Sequence, residues 1–150
     1  FKDLENKLLN NFKNNYLSPT RSSSTVNRLN RKIALSEKVK KLYDYKCQIC
    51  NVKLNSPSGP IAIGAHIKPL GMPHNGPDVI QNMLCLCPNH HDQFDYYSFY
   101  IDPENLKIIG LKELENKKLT INHKHKIDKD FLIYRKEDYL KNNDLKEIEN

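Results

Sequence analysis

Two stretches, Ala65-His66-Ile67-Lys68-Pro69 and Asn82-Met83-Leu84-Cys85-Leu86-Cys87-Pro88-Asn89-His90-His91-Asp92-Gln93-Phe94-Asp95, decide how this chain folds. Residues 61–67 form the apolar run of a buried strand that ends near His66. The stretch from Pro69 to Pro77 carries three prolines and two glycines, which force a loop. Residues 83–86 read as a second short strand. Pro88 then suits the first turn of a helix, where its missing N–H costs nothing, and the helix should run to about Tyr96. The predicted order is strand, loop, strand, helix.

Two cysteine-containing pairs frame this unit. Cys47-Gln48-Ile49-Cys50 and Cys87-Pro88-Asn89-His90 share a two-residue gap, which lets both side chains of each pair turn toward one point. Zinc takes four such ligands in a tetrahedron, so Cys47, Cys50, Cys87 and His90 are expected to hold a structural zinc ion. Cys85 lies two residues before Cys87 on the same strand and is an alternative fourth ligand in place of His90; otherwise it is a small core residue. A closed four-ligand site leaves no open position for substrate, so the chemistry must lie beside it.

The ordered set Cys47-x-x-Cys50, Ala65-His66-Ile67-Lys68-Pro69 and Asn82 through Asp95 resembles the HNH (ββα-metal) endonuclease family. The likeness covers residues 43–101, and residues 26–46 and 127–140 resemble the flanks of HNH domains in bacterial restriction enzymes. The resemblance implies that His66 is the general base, that Asn82 orients it or its loop, and that His91 and Asp95 ligate one divalent ion. At i and i+4 these last two share a helix face. Magnesium or manganese suits such a ligand pair, with nickel or zinc conceivable. An imidazole of ordinary pKa is partly neutral near pH 7, as a base must be. Many family members place an acid or a second histidine directly before the base as a third ligand. This chain has Ala65 there, as some restriction-type members do, so weak metal binding without substrate is expected.

Outside the motifs, Leu4, Leu8, Leu9, Phe12 and Tyr16 form the stripe of an amphipathic helix over residues 3–17, weakened by many Asn. Pro19 and Ser22 to Ser24 read as a link. Leu35, Val39, Leu42 and Tyr43 mark a second helix with Lys38, Lys40 and Lys41 facing out. Downstream, residues 98–101 and 107–111 are expected to form a hairpin across Asp102 to Asn105, and residues 127–140 one or two short helices. The tail from Lys141 is expected to fray. Phe94 and Tyr43 read as core; His74, His123 and His125 lie in polar stretches and read as exposed. The fold class is thus α+β. A ββα-metal core stapled by zinc spans residues 46–102, between a basic helical extension (1–45) and a C-terminal hairpin and helix region (103–150).

The chain has 150 residues and a net charge of +6. Residues 1–46 hold eleven Lys or Arg against four acids, and the remainder thirteen against fourteen. A basic helix beside a nuclease site is a natural binder of phosphate backbones, so Arg28, Arg31, Lys38 and Lys41, with Lys68 after the base, are candidate contacts to double-stranded DNA. No apolar run approaches the roughly 20 residues that span a bilayer, so no membrane association and a cytoplasmic location are expected. The first residue is Phe1, which suggests a longer chain with an upstream DNA-recognition domain. One HNH site cuts one strand, so a homodimer is expected if both strands are cut. The competing functions are a catalytically silent zinc module that binds nucleic acid and a structural zinc protein serving a protein partner.

Overall fold

The computed structural model describes the backbone of residues 23–148 and the side chains of residues 33–144. The expected helix over 3–17, Pro19 and the side chains of Arg28 and Arg31 lie outside these limits. Helix α1 is described over Ser23–Leu42, so Ser23 and Ser24, expected to lie in a link, are helical. Its apolar stripe is as expected: Leu35, Val39, Leu42 and Tyr43 pack with Met83 and Cys85. Lys38 and Lys41 are exposed, but Lys40 is not. It lies half-buried against Glu37 at 2.7 Å, so the outward face is narrower than the spacing suggested. The helix ends where Asp44 and Tyr45 take left-handed backbone conformations (φ 50 and 59) and turn the chain toward Cys47.

A hairpin missed by sequence reasoning follows, β1 (Leu54–Ser56) pairing antiparallel with β2 (Gly59–Ile61). The expected single strand over 61–67 is therefore divided. Its beginning belongs to this hairpin, and β3 (Ile63–His66) pairs antiparallel with β4 (Met83–Leu86), with Ile63 opposite Leu86 and His66 opposite Met83. All four residues of β4 are buried because both of its faces are covered. Met83 and Cys85 meet α1, while Leu84 and Leu86 join the main core of Ile67, Phe94, Phe99, Ile101, Ile108, Leu114, Leu119 and Leu132. Strand alternation thus sorts one short segment into two clusters.

α1 approaches β3 closely. A Cβ at Gly64 would meet Ser36 Oγ at 2.7 Å and Ser36 Cα at 3.0 Å, so glycine is what lets the helix sit on the strand.

Helix α2 (Pro88–Asp95) has its proline in the first turn, as expected. Strands β5 (Tyr100–Ile101) and β6 (Ile108–Ile109) form the predicted hairpin, with the Asp102 carboxylate accepting the Glu104 and Asn105 N–H groups at 2.8 and 3.1 Å. The region after residue 127 is one helix, α3 (Lys129–Ile148), and Lys141 to Ile148 continue it instead of fraying. Asn142 and Asn143 donate back to the Asp138 and Tyr139 carbonyls at 2.8 and 2.9 Å, which offsets their poor helix propensity. His125 is the clearest departure from expectation. It is buried, with Nδ1 2.5 Å from the Tyr43 hydroxyl and Nε2 2.9 Å from the Ile80 carbonyl. No described helix is long and apolar enough to cross a membrane.

Candidate active site

The Cys-x-x-Cys turn and the start of α2 bring Cys47, Cys50, Cys87 and His90 together, with one ligand atom from each lying within 4.8 Å of all the others. Asn51 (φ 60) closes the turn by donating to the Cys47 carbonyl at 2.8 Å. Buried Gln48, between the cysteines, receives the Cys85 N–H at 2.8 Å and donates to the Thr120 carbonyl at 2.8 Å, tying the turn to β4 and to the C-terminal region.

The fit to a tetrahedral ion can be tested from these separations. Zinc–sulfur bonds near 2.3 Å give tetrahedral edges of about 3.8 Å between sulfurs and slightly less between sulfur and nitrogen. Cys50 Sγ lies 3.9 Å from Cys87 Sγ, and His90 Nδ1 lies 3.7 Å from Cys47 Sγ and 3.3 Å from Cys87 Sγ. The donor set and its spacing therefore suit a structural metal. Burial pushes the Cys47 thiol up to about 12 and holds the His90 imidazole below its usual range, so the protein alone favours a neutral thiol there and a bound cation would favour the thiolate. Cys85 is not part of the group. The strand ends at Leu86, so the alternation that would align Cys85 with Cys87 stops, and Cys85 packs against Val39 and Tyr43.

On the other side of α2, a cleft of about 230 Å³ is lined by Gly64, Ala65, His66, Pro69, Leu70, His91 and Asp95. β3 delivers His66 to it and α2 delivers His91 and Asp95, whose side chains meet at 3.1 Å (Nε2 to Oδ2) across one helical turn. The cleft thus gathers His66 with the two expected ligands, and Ala65 offers no donor atom. Among the described residues, the Cys3His group is the one cluster of three or more metal-binding side chains.

Asn82 is fully buried and does not reach the imidazole. Its Oδ1 accepts the Lys68 N–H at 2.8 Å, and its Nδ2 donates to the Lys68 and Pro77 carbonyls, each at 2.9 Å. It clasps both ends of the proline-rich loop. Gly76 tightens the same neck: its N–H donates to the Pro69 carbonyl at 2.7 Å, and a Cβ there would lie 2.1 Å from the Lys68 oxygen.

The group that does touch His66 is Asp78, with Oδ1 2.9 Å from Nε2. Sequence reasoning passed over it, since an acid after Gly76-Pro77 looks like a turn residue. Its one signal is its place between the loop and Asn82.

Lys68 stands 4.5 Å over the Tyr134 ring, whose hydroxyl is 2.6 Å from His74 Nδ1, so His74 is half-buried and bonded. Arg135, also unforeseen, is buried between the Phe94 and Tyr97 rings, at 4.2 and 4.6 Å from their centroids.

A family model described as HNH endonuclease matches residues 47–102. The matched segment makes up a little over a third of the chain. The strand pair β3–β4 followed by α2 forms a ββα unit within it, and the Cys3His group lies at one end of that unit. Among solved structures, the chain is similar to the modification-dependent TagI restriction endonuclease, at 35% identity and a TM-score of 0.62. The match covers 81% of this chain and 39% of that one, so this chain spans about two fifths of that protein's length. No curated protein matches the chain.

Proposed function

We propose that this HNH domain is a metal-dependent endonuclease that hydrolyses DNA phosphodiester bonds as the cleavage part of a restriction-type enzyme. The carrying observation is that one cleft collects His66 from β3 with His91 and Asp95 from α2. The likeness to TagI favours DNA as substrate and restriction as context.

In this reading His66 is the general base and removes a proton from the attacking water. His91 and Asp95 hold magnesium or manganese, which when bound neutralises charge on the phosphate and stabilises the leaving oxygen. With only His91 and Asp95 to hold it, such an ion would be bound weakly by the protein alone. Asn82 keeps the loop closed over the cleft. Lys68 steadies a neighbouring phosphate, and Lys38 and Lys41 on α1, with Arg28 and Arg31 earlier in that helix, contribute charge to the duplex-binding surface. The staple of Cys47, Cys50, Cys87 and His90 carries zinc. Residues 1–45 act as a basic lead-in from an upstream recognition domain, residues 46–102 cut, and residues 103–150 buttress the cut site. Two copies act as a homodimer where both strands are broken.

Supercoiled plasmid incubated with the chain in magnesium or manganese is expected to be nicked or linearised. His66→Ala should abolish this while zinc content and DNA affinity stay as in the wild type. A wild-type chain that binds DNA and is inert in every divalent metal would instead make this a silent nucleic-acid-binding module.

A further inference from the structure

We infer that Asp78 is the positioning residue for His66, fixing which ring nitrogen faces the substrate, and that Asn82 acts through it. This role rests on the nuclease reading above. A carboxylate can only accept, so a neutral His66 bonded to Asp78 Oδ1 at 2.9 Å carries its proton on Nε2. Nδ1 is then the bare nitrogen, free to take a proton from water. Both side chains are partly shielded, with 20% and 32% of their surfaces exposed, so solvent weakens the bond without dissolving it.

The backbone explains why Asp78 is held there. Asn82 Nδ2 donates to the carbonyl of Pro77, the residue directly before Asp78, and the same amide grips Lys68, two residues after His66. The Ile67 N–H donates to the Asn82 carbonyl at 2.9 Å, which joins the residue directly after His66 to Asn82 as well. One buried amide therefore sets the separation between base and carboxylate. The Asn82 side chain has all its polar atoms engaged with backbone, and the contact to the imidazole is made by a different residue.

The test uses the chain with zinc bound and combines cleavage with nuclear magnetic resonance of the imidazole. For the wild type, a slowly exchanging, downfield Nε2–H proton on His66 is expected, and Asp78→Ala should remove it. The same variant should lower kcat by about 100-fold, the scale of a misplaced reacting group, with KM and the half-saturating manganese concentration within twofold of wild type. Asp78→Glu should recover part of the rate. A wild-type His66 that lacks the Nε2–H signal overturns the role, as does an unchanged kcat in Asp78→Ala. A raised manganese requirement in that variant would make Asp78 a metal ligand and also overturns it. If the wild type cuts no DNA, the nuclease reading fails and this role falls with it, whereas wild-type cutting with an indifferent Asp78→Ala removes this role alone.

Discussion

The Arg135 guanidinium, carried by α3, donates to the Phe94 carbonyl in the last turn of α2, one residue before Asp95. A cation at a helix C-terminus complements the partial negative charge of its free carbonyls. Burial holds the Arg135 pKa below its usual value, with nearby Tyr97, Asp95 and Asp138 acting in the opposite direction. The C-terminal helix thus clamps the end of the helix that carries both expected metal ligands. Arg135→Ala removes a charged hydrogen bond and the contacts of the guanidinium with two aromatic faces, and should cost about 2–4 kcal/mol in urea unfolding. It should also raise the metal concentration needed for cleavage, because Asp95 loses its support.

Removing the metal from the Cys3His group should unfold the domain. Structural zinc contributes roughly 10–16 kcal/mol of apparent binding energy in small zinc domains, as much as the whole stability of a typical fold. Dialysis against a strong chelator, or Cys50→Ser, is expected to abolish the cooperative thermal transition followed by circular dichroism. Added zinc should restore it in the wild type only.

Asn82→Ala should destabilise the domain by about 3 kcal/mol, near 1 kcal/mol for each of three lost hydrogen bonds, since it strands the polar groups of Lys68 and Pro77. Limited proteolysis should then cut within residues 69–77, where the wild type resists, and cleavage of DNA should fall further than stability does.

His125 should make stability fall with acidity. In the neutral ring, Nε2–H donates to the Ile80 carbonyl and Nδ1 accepts from the Tyr43 hydroxyl. Burial holds its pKa below the usual 6.5, and the hydrogen bond to Ile80 opposes that only in part. The unfolded chain therefore binds a proton that the folded chain refuses. Stability is unaffected well above pH 6.5 and declines as pH falls from there toward the folded pKa. The melting temperature of the zinc-bound protein should drop between pH 7.5 and 5.5, and His125→Gln should flatten that drop while lowering the pH 7.5 value.

The ββα unit was legible because local chemistry writes it plainly: Pro88 marks the helix start, the prolines from Pro69 to Pro77 rule out regular structure, and the two-residue gaps mark the staple. The rest depended on partners distant in sequence. His125 stands between Lys124 and Lys126, so local composition argued for water, yet its ring fits a polar slot built from Tyr43 and Ile80. The β1–β2 hairpin is polar and largely exposed, with no apolar alternation to announce it. Arg135 looked like one more surface cation on a charged helix, and its burial follows from Phe94 and Tyr97 arriving from α2 and the turn after it. Asp78 reaches His66 only because the loop folds back, and loop paths leave no periodic trace.

His90 and His91 are consecutive in α2, yet one belongs to the staple and the other to the cleft. Any assay that uses a chelator therefore runs on two clocks. In the proposed reading, an ion held by His91 and Asp95 would exchange quickly, and its withdrawal would halt turnover at once and reversibly. An ion held by all four staple residues would leave slowly, and its departure would release the first turn of the helix that carries His91, so activity lost by that route should return only on refolding with zinc. Inhibition measured after minutes and after a day would report different metals.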